Sequence, residues 1–268
     1  MKKSLWIYLV IIFVTAAATW GVTALLLNIS ERKQEGRHQY IQLTTLTEET
    51  TDPAEWRKNF PRQYDGYVKT VDVERTRYGG SENFSKLDED PAWVRLFAGY
   101  AFGVDYREER GHAYSLQDQQ ETLRTQQYNQ PGACLQCHAG GLKHVYETLG
   151  GGDIQEGFAK VCAMPLKEAW THVKHPIACI DCHDPNTMQL RVTRPGFLNA
   201  IKVVKAEEGI PNYDPNTMAS RQEMRTFVCG QCHVEYYFKG KEKLLTYPWD
   251  KGLKMDEIEA YYDEIDSR

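Results

Sequence analysis

The chain has 268 residues, 12% of them aromatic, and a formal net charge of −5 at pH 7. Acidic and basic residues are mixed along its length, so the charge pattern gives no indication of nucleic-acid binding. The length beyond the N-terminal segment is enough for one domain.

The first 29 residues are predicted to form a signal anchor that spans a membrane. Lys2 and Lys3 precede an uncharged run over residues 5–29. A cleavable signal has an apolar core of about 7–15 residues, whereas about 20 apolar residues cross a bilayer. Cleavage after the alanines at 16–18 is the alternative, but the apolar pattern continues beyond them. An uncleaved anchor is therefore favoured.

Residues 30–52 are polar and rich in Thr, Glu and Gln, and they are predicted to form a flexible tether. Residues 53–268 then form the body as one domain. Asp90-Pro91 predicts the start of a helix over residues 91–97, and a sequence at 115–118 that resembles a capping box predicts a polar helix over residues 115–127. Further helices are predicted over residues 154–173, 218–238 and 254–265, the first and last of them from apolar residues at helical spacing. Extended segments are few, so the sequence predicts a mainly α, loop-rich fold with little β-sheet.

Three copies of Cys-X-X-Cys-His occur in the body. Their cysteines and histidines are Cys134, Cys137 and His138; Cys179, Cys182 and His183; and Cys229, Cys232 and His233. This motif attaches haem c: the thiols form thioethers and the His binds the iron. Zinc or a disulfide is the alternative for one Cys-X-X-Cys, but a structural zinc site needs a second ligand pair at fixed spacing. Three such motifs favour three haems in a multihaem cytochrome c fold.

The haems also indicate a compartment. Covalent haem attachment takes place outside the cytoplasm in bacteria, so the body is predicted on the extracytoplasmic (periplasmic) side of the cytoplasmic membrane. Lys2 and Lys3 agree with an amino terminus on the inside. Cys162 is the cysteine outside the motifs, and it is predicted to be a buried hydrophobic side chain.

Blocks of sequence around these motifs resemble the ammonia-forming pentahaem cytochrome c nitrite reductases. The blocks are residues 97–100, 105–106, 110–112, 121–125, 229–241 and 247–250. They occur in the same order as in that family, and the resemblance covers about residues 55–265, nearly all of the body. They are specific because they include residues that haem attachment alone does not require.

The resemblance implies a role for several of these residues. The first motif would bind the catalytic haem, whose distal position is open to substrate. Arg124 would be a cation of the substrate pocket, and Tyr236 would be its tyrosine. Glu235 would bind a structural calcium ion, with the Tyr236 backbone carbonyl as another ligand. His112 would be the distal ligand of the haem held by His233.

The reaction implied by the resemblance is the six-electron reduction of nitrite to ammonium. A guanidinium would hold the oxygens of the anion, and a phenol would donate a hydrogen bond or relay protons. A carboxylate and a carbonyl oxygen suit calcium. The implied electron donor is a membrane quinol-oxidising multihaem cytochrome, and the full-length enzymes of the family are expected to be homodimers.

The chain departs from the family in two ways. The catalytic motif of the family usually ends in Lys, whereas His138 occupies the position here, which should change the potential of the iron. The family also continues well beyond residue 268, with two more haem motifs, further calcium ligands and the helices that pair the subunits. We therefore expect an N-terminal part of the enzyme that carries three of five haems.

Other functions remain open from the sequence. One is a three-haem electron-transfer cytochrome without turnover, and another is a related multihaem reductase acting on hydroxylamine or another oxyanion. The haem of His183 has no distal ligand supplied by the resemblance. One of His144, His172 and His175 is a candidate for such a ligand.

Overall fold

The computed structural model describes residues 2–35, 42–71, 75 and 82–266. The chain divides into two compact units, Met1–Leu43 and Thr44–Arg268. In the described residues helices form most of the regular structure, and one two-stranded sheet is present. The predicted fold class, mainly α and loop-rich with little β, is therefore confirmed.

The first unit contains one continuous helix, α1 (Lys2–Glu35). Its segment Leu5–Lys33 is long and apolar enough to cross a membrane. At 1.5 Å per residue this segment is about 44 Å long, more than the roughly 30 Å of a hydrocarbon core. Apolar side chains along the helix are exposed, with Trp20 at 77%. These properties are consistent with the predicted signal anchor.

The second unit consists of short helices joined by loops. In chain order the helices are α2 (Pro53–Trp56), α3 (Pro61–Val68), α4 (Lys86–Glu89), α5 (Ala92–Leu96), α6 (Ser115–Glu121), α7 (Leu123–Gln127), α8 (Leu135–His138), α9 (Leu142–Leu149), α10 (Ile154–Ala163), α11 (Leu166–Ala169), α12 (Cys179–Cys182), α13 (Pro195–Glu207), α14 (Pro215–Met218), α15 (Arg221–Gly230) and α16 (Met255–Asp266). Several begin at a side-chain cap: Asp52, Ser85, Asp153, Asp214 and Ser220 each accept a backbone N–H. Such caps start helices locally, without a long periodic pattern.

The main core lies where α9, α10 and α13 pack together. Tyr146 of α9 and Phe158 of α10 meet edge to face, with ring centroids 5.6 Å apart. Gly157 permits this approach, because a Cβ there would lie 1.8 Å from the Tyr146 carbonyl oxygen. Phe197 of α13 extends the core to Tyr247, at a centroid distance of 6.2 Å.

A short hairpin follows the third haem motif. Strands β1 (Tyr237–Lys239) and β2 (Leu244–Thr246) are antiparallel, and Phe238 pairs with Leu245. Gly240 in the turn has a φ of 71°, which suits glycine. The hairpin brings residues that follow the third motif back to the core.

Two of the five predicted helices are confirmed, as α5 and α16. The predicted helix over residues 115–127 is wrong at one point, because the chain leaves the helical conformation at Thr122, with ψ 137°. The Thr122 hydroxyl donates to Asp105 Oδ2 at 3.0 Å, and the Leu123 N–H donates to the same oxygen at 2.8 Å. Asp105 therefore starts α7 as a separate helix.

The other two predicted helices are also interrupted. The helix predicted over residues 154–173 ends at Ala163, because Pro165 disfavours the helical conformation at Met164. The helix predicted over residues 218–238 is wrong at both ends: α14 ends at Met218, α15 covers Arg221–Gly230, and residues 237–239 form β1. The third haem motif thus lies at the end of α15.

Residues 44–52, which the sequence assigns to the tether, lie against the body. Leu46 is 1% exposed and packs with Trp56 and Ile180. The Glu48 carboxylate contacts Arg191 at 2.5 Å. The division of the chain into an anchor (1–29), a tether (30–52) and a body (53–268) stays a prediction.

Candidate haem and substrate site

Each Cys-X-X-Cys-His motif lies on a helical turn. The first motif is on α8, the second is on α12, and the third is at the end of α15. Residues three positions apart in a helix lie on the same side, so both thiols of a motif point the same way. All seven cysteines are unpaired. The six motif thiols are thus arranged to fit the thioether attachment of haem c.

A backbone carbonyl orients the His183 ring. Its Nδ1 lies 2.9 Å from the Met188 carbonyl oxygen, which leaves Nε2 to bind a metal. Asp184 fixes the loop by accepting hydrogen bonds from the N–H groups of Asn186 and Thr187. Met188 has a φ of 61°, which is uncommon for a residue with a side chain. The loop fits the orientation of a haem ligand.

His112 and His233 face each other across a gap of suitable size for one metal ion. Their ring centroids are 6.1 Å apart. A metal–imidazole bond is about 2 Å long, so imidazoles on opposite sides of one ion have centroids about 6 Å apart. Burial and then the charge of His233 lower the pKa of His112. The neutral ring is the form that binds metals, so the pair fits a bis-His haem.

His138 is held through its backbone and has a free ring nitrogen. Its carbonyl oxygen accepts a hydrogen bond from the Ser115 hydroxyl at 2.9 Å. Burial lowers the pKa of the ring, which keeps the imidazole neutral. Nδ1 is buried and makes no hydrogen bond within the described part of the chain. The Glu109 carboxylate oxygen Oε1 is 3.4 Å away, outside hydrogen-bond geometry.

Arg124 and Tyr236 line one cavity together with the first haem motif. The lining includes Cys134, Cys137 and His138. Arg124 comes from α7, and Tyr236 comes from the segment between α15 and β1. The two predicted substrate-pocket residues and the predicted catalytic haem ligands are thus side by side.

The Arg124 guanidinium is held from three directions. One nitrogen donates to Gln119 Oε1 at 3.1 Å, and another lies 3.5 Å from the Asp105 carbonyl oxygen. The guanidinium carbon lies 4.8 Å from the centroid of the Phe102 ring. Asp105 also caps α7, so the same residue sets the start of the helix and supports its arginine.

Tyr236 is suited to donate a hydrogen bond. The residue is 40% exposed, yet it lines the cavity, and burial is the main cause that raises the pKa of its hydroxyl. A raised pKa keeps the phenol protonated at neutral pH.

The calcium ligands predicted at Glu235 and Tyr236 are only part of a site. Glu235 is exposed, and its Oε1 accepts a hydrogen bond from the Tyr262 hydroxyl at 3.0 Å. No group of three or more His, Cys, Asp or Glu side chains in the described residues is placed to hold a metal ion. Because calcium takes six to eight oxygen ligands, its binding here stays a prediction that requires other donors.

Sequence reasoning missed a buried polar junction between the motifs. The residue before the second cysteine is polar in all three motifs, and Gln136, Asp181 and Gln231 are each at most 2% exposed. Arg194, 1% exposed, pairs with Asp181 at 3.1 Å. It also donates to the carbonyl oxygens of Gln136 at 2.7 Å and Ala139 at 2.9 Å. The shared polar position was a usable signal, but nothing in the sequence marked Arg194.

The junction extends to the third motif through Tyr247. Gln136 Nε2 donates to the Tyr247 hydroxyl at 2.8 Å, and that hydroxyl donates to the Gln231 carbonyl oxygen at 2.9 Å. Cys137 Sγ lies 3.9 Å from the Cys232 carbonyl oxygen, and Cys232 Sγ lies 3.7 Å from that of Gln136. The first and third motifs are therefore in direct contact.

The remaining candidates lie outside this junction. His144 and His172 are exposed and His175 is half-buried, and a role for one of them as a distal ligand stays a prediction. Cys162 is 1% exposed, and burial raises the pKa of its thiol to about 11. The prediction of a buried hydrophobic side chain at Cys162 is confirmed.

Comparisons with known proteins agree with these features. A family profile described as cytochrome c552 matches residues 52–268. The chain is 39% identical over 223 residues to a cytochrome c-552 of Porphyromonas gingivalis, covering 79% of this chain and 41% of that protein. It is 34% identical over 280 residues to a cytochrome c-552 of Aliarcobacter butzleri, covering 99% of this chain and 51% of that protein.

A solved structure is also similar. It is a cytochrome c nitrite reductase from Desulfovibrio desulfuricans, whose catalytic subunit has two calcium sites. The TM-score is 0.67 at 30% sequence identity, covering 82% of this chain and 48% of that chain. The chain thus spans about two fifths to one half of the length of these relatives.

Proposed function

The chain belongs to the cytochrome c552 family, a nitrite reductase family with c-type haem, and from that premise we propose that its first motif holds the haem at which nitrite is reduced to ammonium. The observation that supports this is the shared cavity. Arg124 and Tyr236 line it beside Cys134, Cys137 and His138.

Arg124 binds the substrate in this proposal. Its guanidinium offers fixed N–H donors to the oxygens of nitrite, and its contacts with Gln119 and Asp105 hold it in place before substrate arrives. Because the donor is already oriented, little free energy is needed to reorient it when negative charge develops on the oxygens. A haem held by Cys134, Cys137 and His138 would supply the iron and the electrons for the reduction.

Tyr236 supplies hydrogen bonds and protons on the same side of the cavity. The reaction consumes six electrons and eight protons for each nitrite and releases ammonium and two waters. A phenol that stays protonated can donate to a substrate oxygen and be reprotonated from solvent. Tyr236 is 40% exposed, so solvent reaches part of this residue.

The other two motifs serve as the electron path in this proposal. The spacing of His112 and His233 suits two ligands of one iron, and a haem held by both rings would relay electrons without binding substrate. The contact between Cys137 and Cys232 places the third motif next to the first. Electrons would therefore reach the catalytic haem from the haem of His233.

Further parts of the proposal concern the surroundings of the chain. The N-terminal helix would hold the body at the extracytoplasmic face of the membrane, near a quinol-oxidising multihaem cytochrome as donor. Glu235 and the Tyr236 carbonyl would contribute to a calcium site. The whole protein would carry five haems and form a homodimer, as the family resemblance implies.

Optical and electron paramagnetic resonance spectra of the haem-loaded protein test the function. We expect one high-spin haem whose signal shifts when nitrite is added, and ammonium as the product when a low-potential dye supplies electrons. Three low-spin signals without a nitrite response would instead identify an electron-transfer cytochrome. A response to hydroxylamine but none to nitrite would identify a different reductase.

A further inference from the structure

His138, the histidine of the first motif, has two ring nitrogens, and only one of them is needed to bind iron. If His138 binds iron through Nε2, its Nδ1–H needs an acceptor, because a buried donor without one is costly. Nδ1 is buried and makes no hydrogen bond within the described residues. Glu109 Oε1 lies 3.4 Å from it, so a small movement of either side chain would complete the bond.

The chain fixes the position of Glu109 on both sides. The Glu108 N–H donates to the Phe84 carbonyl oxygen at 3.0 Å, a backbone bond that does not depend on the Glu108 side chain. On the other side, Arg110 Nε donates to Asp118 Oδ1 at 2.9 Å. The backbone that presents Glu109 is thus held at its two neighbours.

Helix α6 connects Glu109 to His138. Asp118 of α6 binds both the side chain and the backbone N–H of Arg110, the latter at 3.2 Å. Ser115, one turn earlier in the same helix, donates to the His138 carbonyl oxygen at 2.9 Å. One helix therefore sets the distance between the carboxylate and the imidazole.

The three motif histidines differ at this position. The partner of His183 is the neutral carbonyl of Met188 at 2.9 Å, and the ring of His233 has no hydrogen bond from the described residues. Among the residues that the structure describes, a carboxylate faces His138 but neither of the other two motif histidines. A carboxylate acceptor raises the basicity of a ligating imidazole more than a carbonyl does, because it carries a full negative charge.

We propose that Glu109 is a positioning residue that accepts the Nδ1–H of His138 and makes this imidazole an electron-rich proximal ligand. The inference rests on the proposed haem at His138. A more basic ligand stabilises ferric iron and lowers the reduction potential, and it increases electron donation to a substrate bound on the opposite face, as thiolate ligands do in other haem proteins. A lysine amine at this position would have no second nitrogen through which a carboxylate could act.

The test compares Glu109→Gln and Glu109→Ala with Glu108→Gln in the full haem-loaded chain. Glu108 is the matched control, since it is the adjacent carboxylate and pairs with Lys86 instead. The readouts are the midpoint potential of the high-spin haem and its ferrous iron–histidine stretching frequency. We expect both Glu109 variants to favour ferrous iron at least tenfold, a shift of about 59 mV for one electron, and to lower the stretching frequency. Glu108→Gln should change neither.

Two results would overturn the inference. One is an unchanged potential and frequency at the high-spin haem in both Glu109 variants. The other is a shift confined to a low-spin haem. The charge of Glu109 also tends to raise the pKa of His112, so such a shift would identify His112, not His138, as the partner of Glu109. Haem content and the nitrite response of the unmodified protein are measured on the same preparations. A missing high-spin haem would reject the proposed function itself, whereas a normal nitrite response without the shift would reject the role of Glu109 alone.

Discussion

At the scale of single residues, Arg124 differs from the other arginines described at the site in having no carboxylate partner within the described chain. Its contacts are an amide oxygen, a backbone carbonyl oxygen and an aromatic ring. By contrast, Arg110 pairs with Asp118 and Arg194 with Asp181. An arginine without a counter-charge keeps its full attraction for an anionic ligand.

Replacing Arg124 tests this attraction. We expect Arg124→Gln to weaken nitrite binding about 10- to 100-fold, since a hydrogen bond to a charged group contributes about 1.5–3 kcal/mol. Optical titration of the high-spin haem with nitrite measures the change. Arg95→Gln, an exposed arginine of α5, is the control and should bind nitrite normally. Equal nitrite affinity in both variants would remove Arg124 from the substrate site.

The residues of the attachment motifs could be predicted from the sequence because their chemistry is local. Two thiols and an imidazole lie within five consecutive positions, and any fold that keeps one helical turn presents them together. Arg194 could not be predicted in this way. Its carbonyl partners, Gln136 and Ala139, are 58 and 55 positions away in the chain, so only the tertiary structure identifies them.

At the scale of secondary-structure elements, the start of α15 depends on charge. Ser220 and Glu223 form a capping box: the Glu223 N–H donates to Ser220 Oγ at 3.2 Å, and the Ser220 N–H donates to Glu223 Oε2 at 2.9 Å. Lys205 of α13 contacts the same carboxylate at 2.9 Å. The Lys205 ammonium, followed by the contacts with Ser220, lowers the pKa of Glu223 to about 2.

This pKa predicts a pH-dependent stability. Because the pKa is lower in the folded chain, the stabilisation is complete above the ordinary value of about 4.5 and is lost as the pH falls toward 2. We expect Glu223→Gln to lower the free energy of unfolding by about 1 kcal/mol at pH 7 and by progressively less below pH 4.5. Denaturant unfolding across this range measures it. Glu208→Gln, whose side chain contacts Lys205 but accepts no N–H from a helix start, should have a smaller effect; a difference from the parent that stays constant down to pH 2 would contradict the assignment.

The interrupted helices show where sequence periodicity is insufficient. The apolar spacing over residues 154–173 is helical, but Pro165 changes the backbone at Met164. The break at Thr122 has no proline or glycine, and it arises because Asp105, 17 positions earlier, binds the Thr122 hydroxyl. A local sequence pattern predicts which segments are helical, but the end of α6 depends on a side chain that is distant in the sequence.

At the scale of the whole molecule, the buried junction joins the three haem segments. Arg194 and Asp181 have side chains only 1% and 3% exposed. Removing one member of a buried ion pair leaves the other charge without compensation. We expect Arg194→Met to lower the free energy of unfolding of the haem-loaded protein by about 3–5 kcal/mol. Denaturant unfolding followed by circular dichroism measures the loss.

A surface pair provides the control for this prediction. Arg57 and Asp65 form an ion pair at 3.2 Å, but their side chains are 58% and 48% exposed. Arg57→Met should therefore cost at most about 1 kcal/mol. If the two variants were equally stable, the junction would have no special role in joining the segments.

The N-terminal helix and the body should be separable. Residues 44–268 form their own compact unit, so exchange of residues 1–29 for a cleavable signal peptide should leave the haem spectrum unchanged. The body should move from the membrane fraction to the soluble extracytoplasmic fraction. Retention in salt-washed membranes would show that the body binds the membrane by a surface of its own.

The burial of Gln136, Asp181 and Gln231 also constrains how the protein is made. Each of these residues lies between the two thiols of its motif, and each is sealed in the interior of the folded chain. An enzyme that attaches haem can therefore contact these middle positions only before the chain folds around them. If attachment needs contact with these positions, we expect it to precede the folding of the surrounding chain. A chain that folded before haem attachment would have to unfold, at least locally, before the haem could be attached.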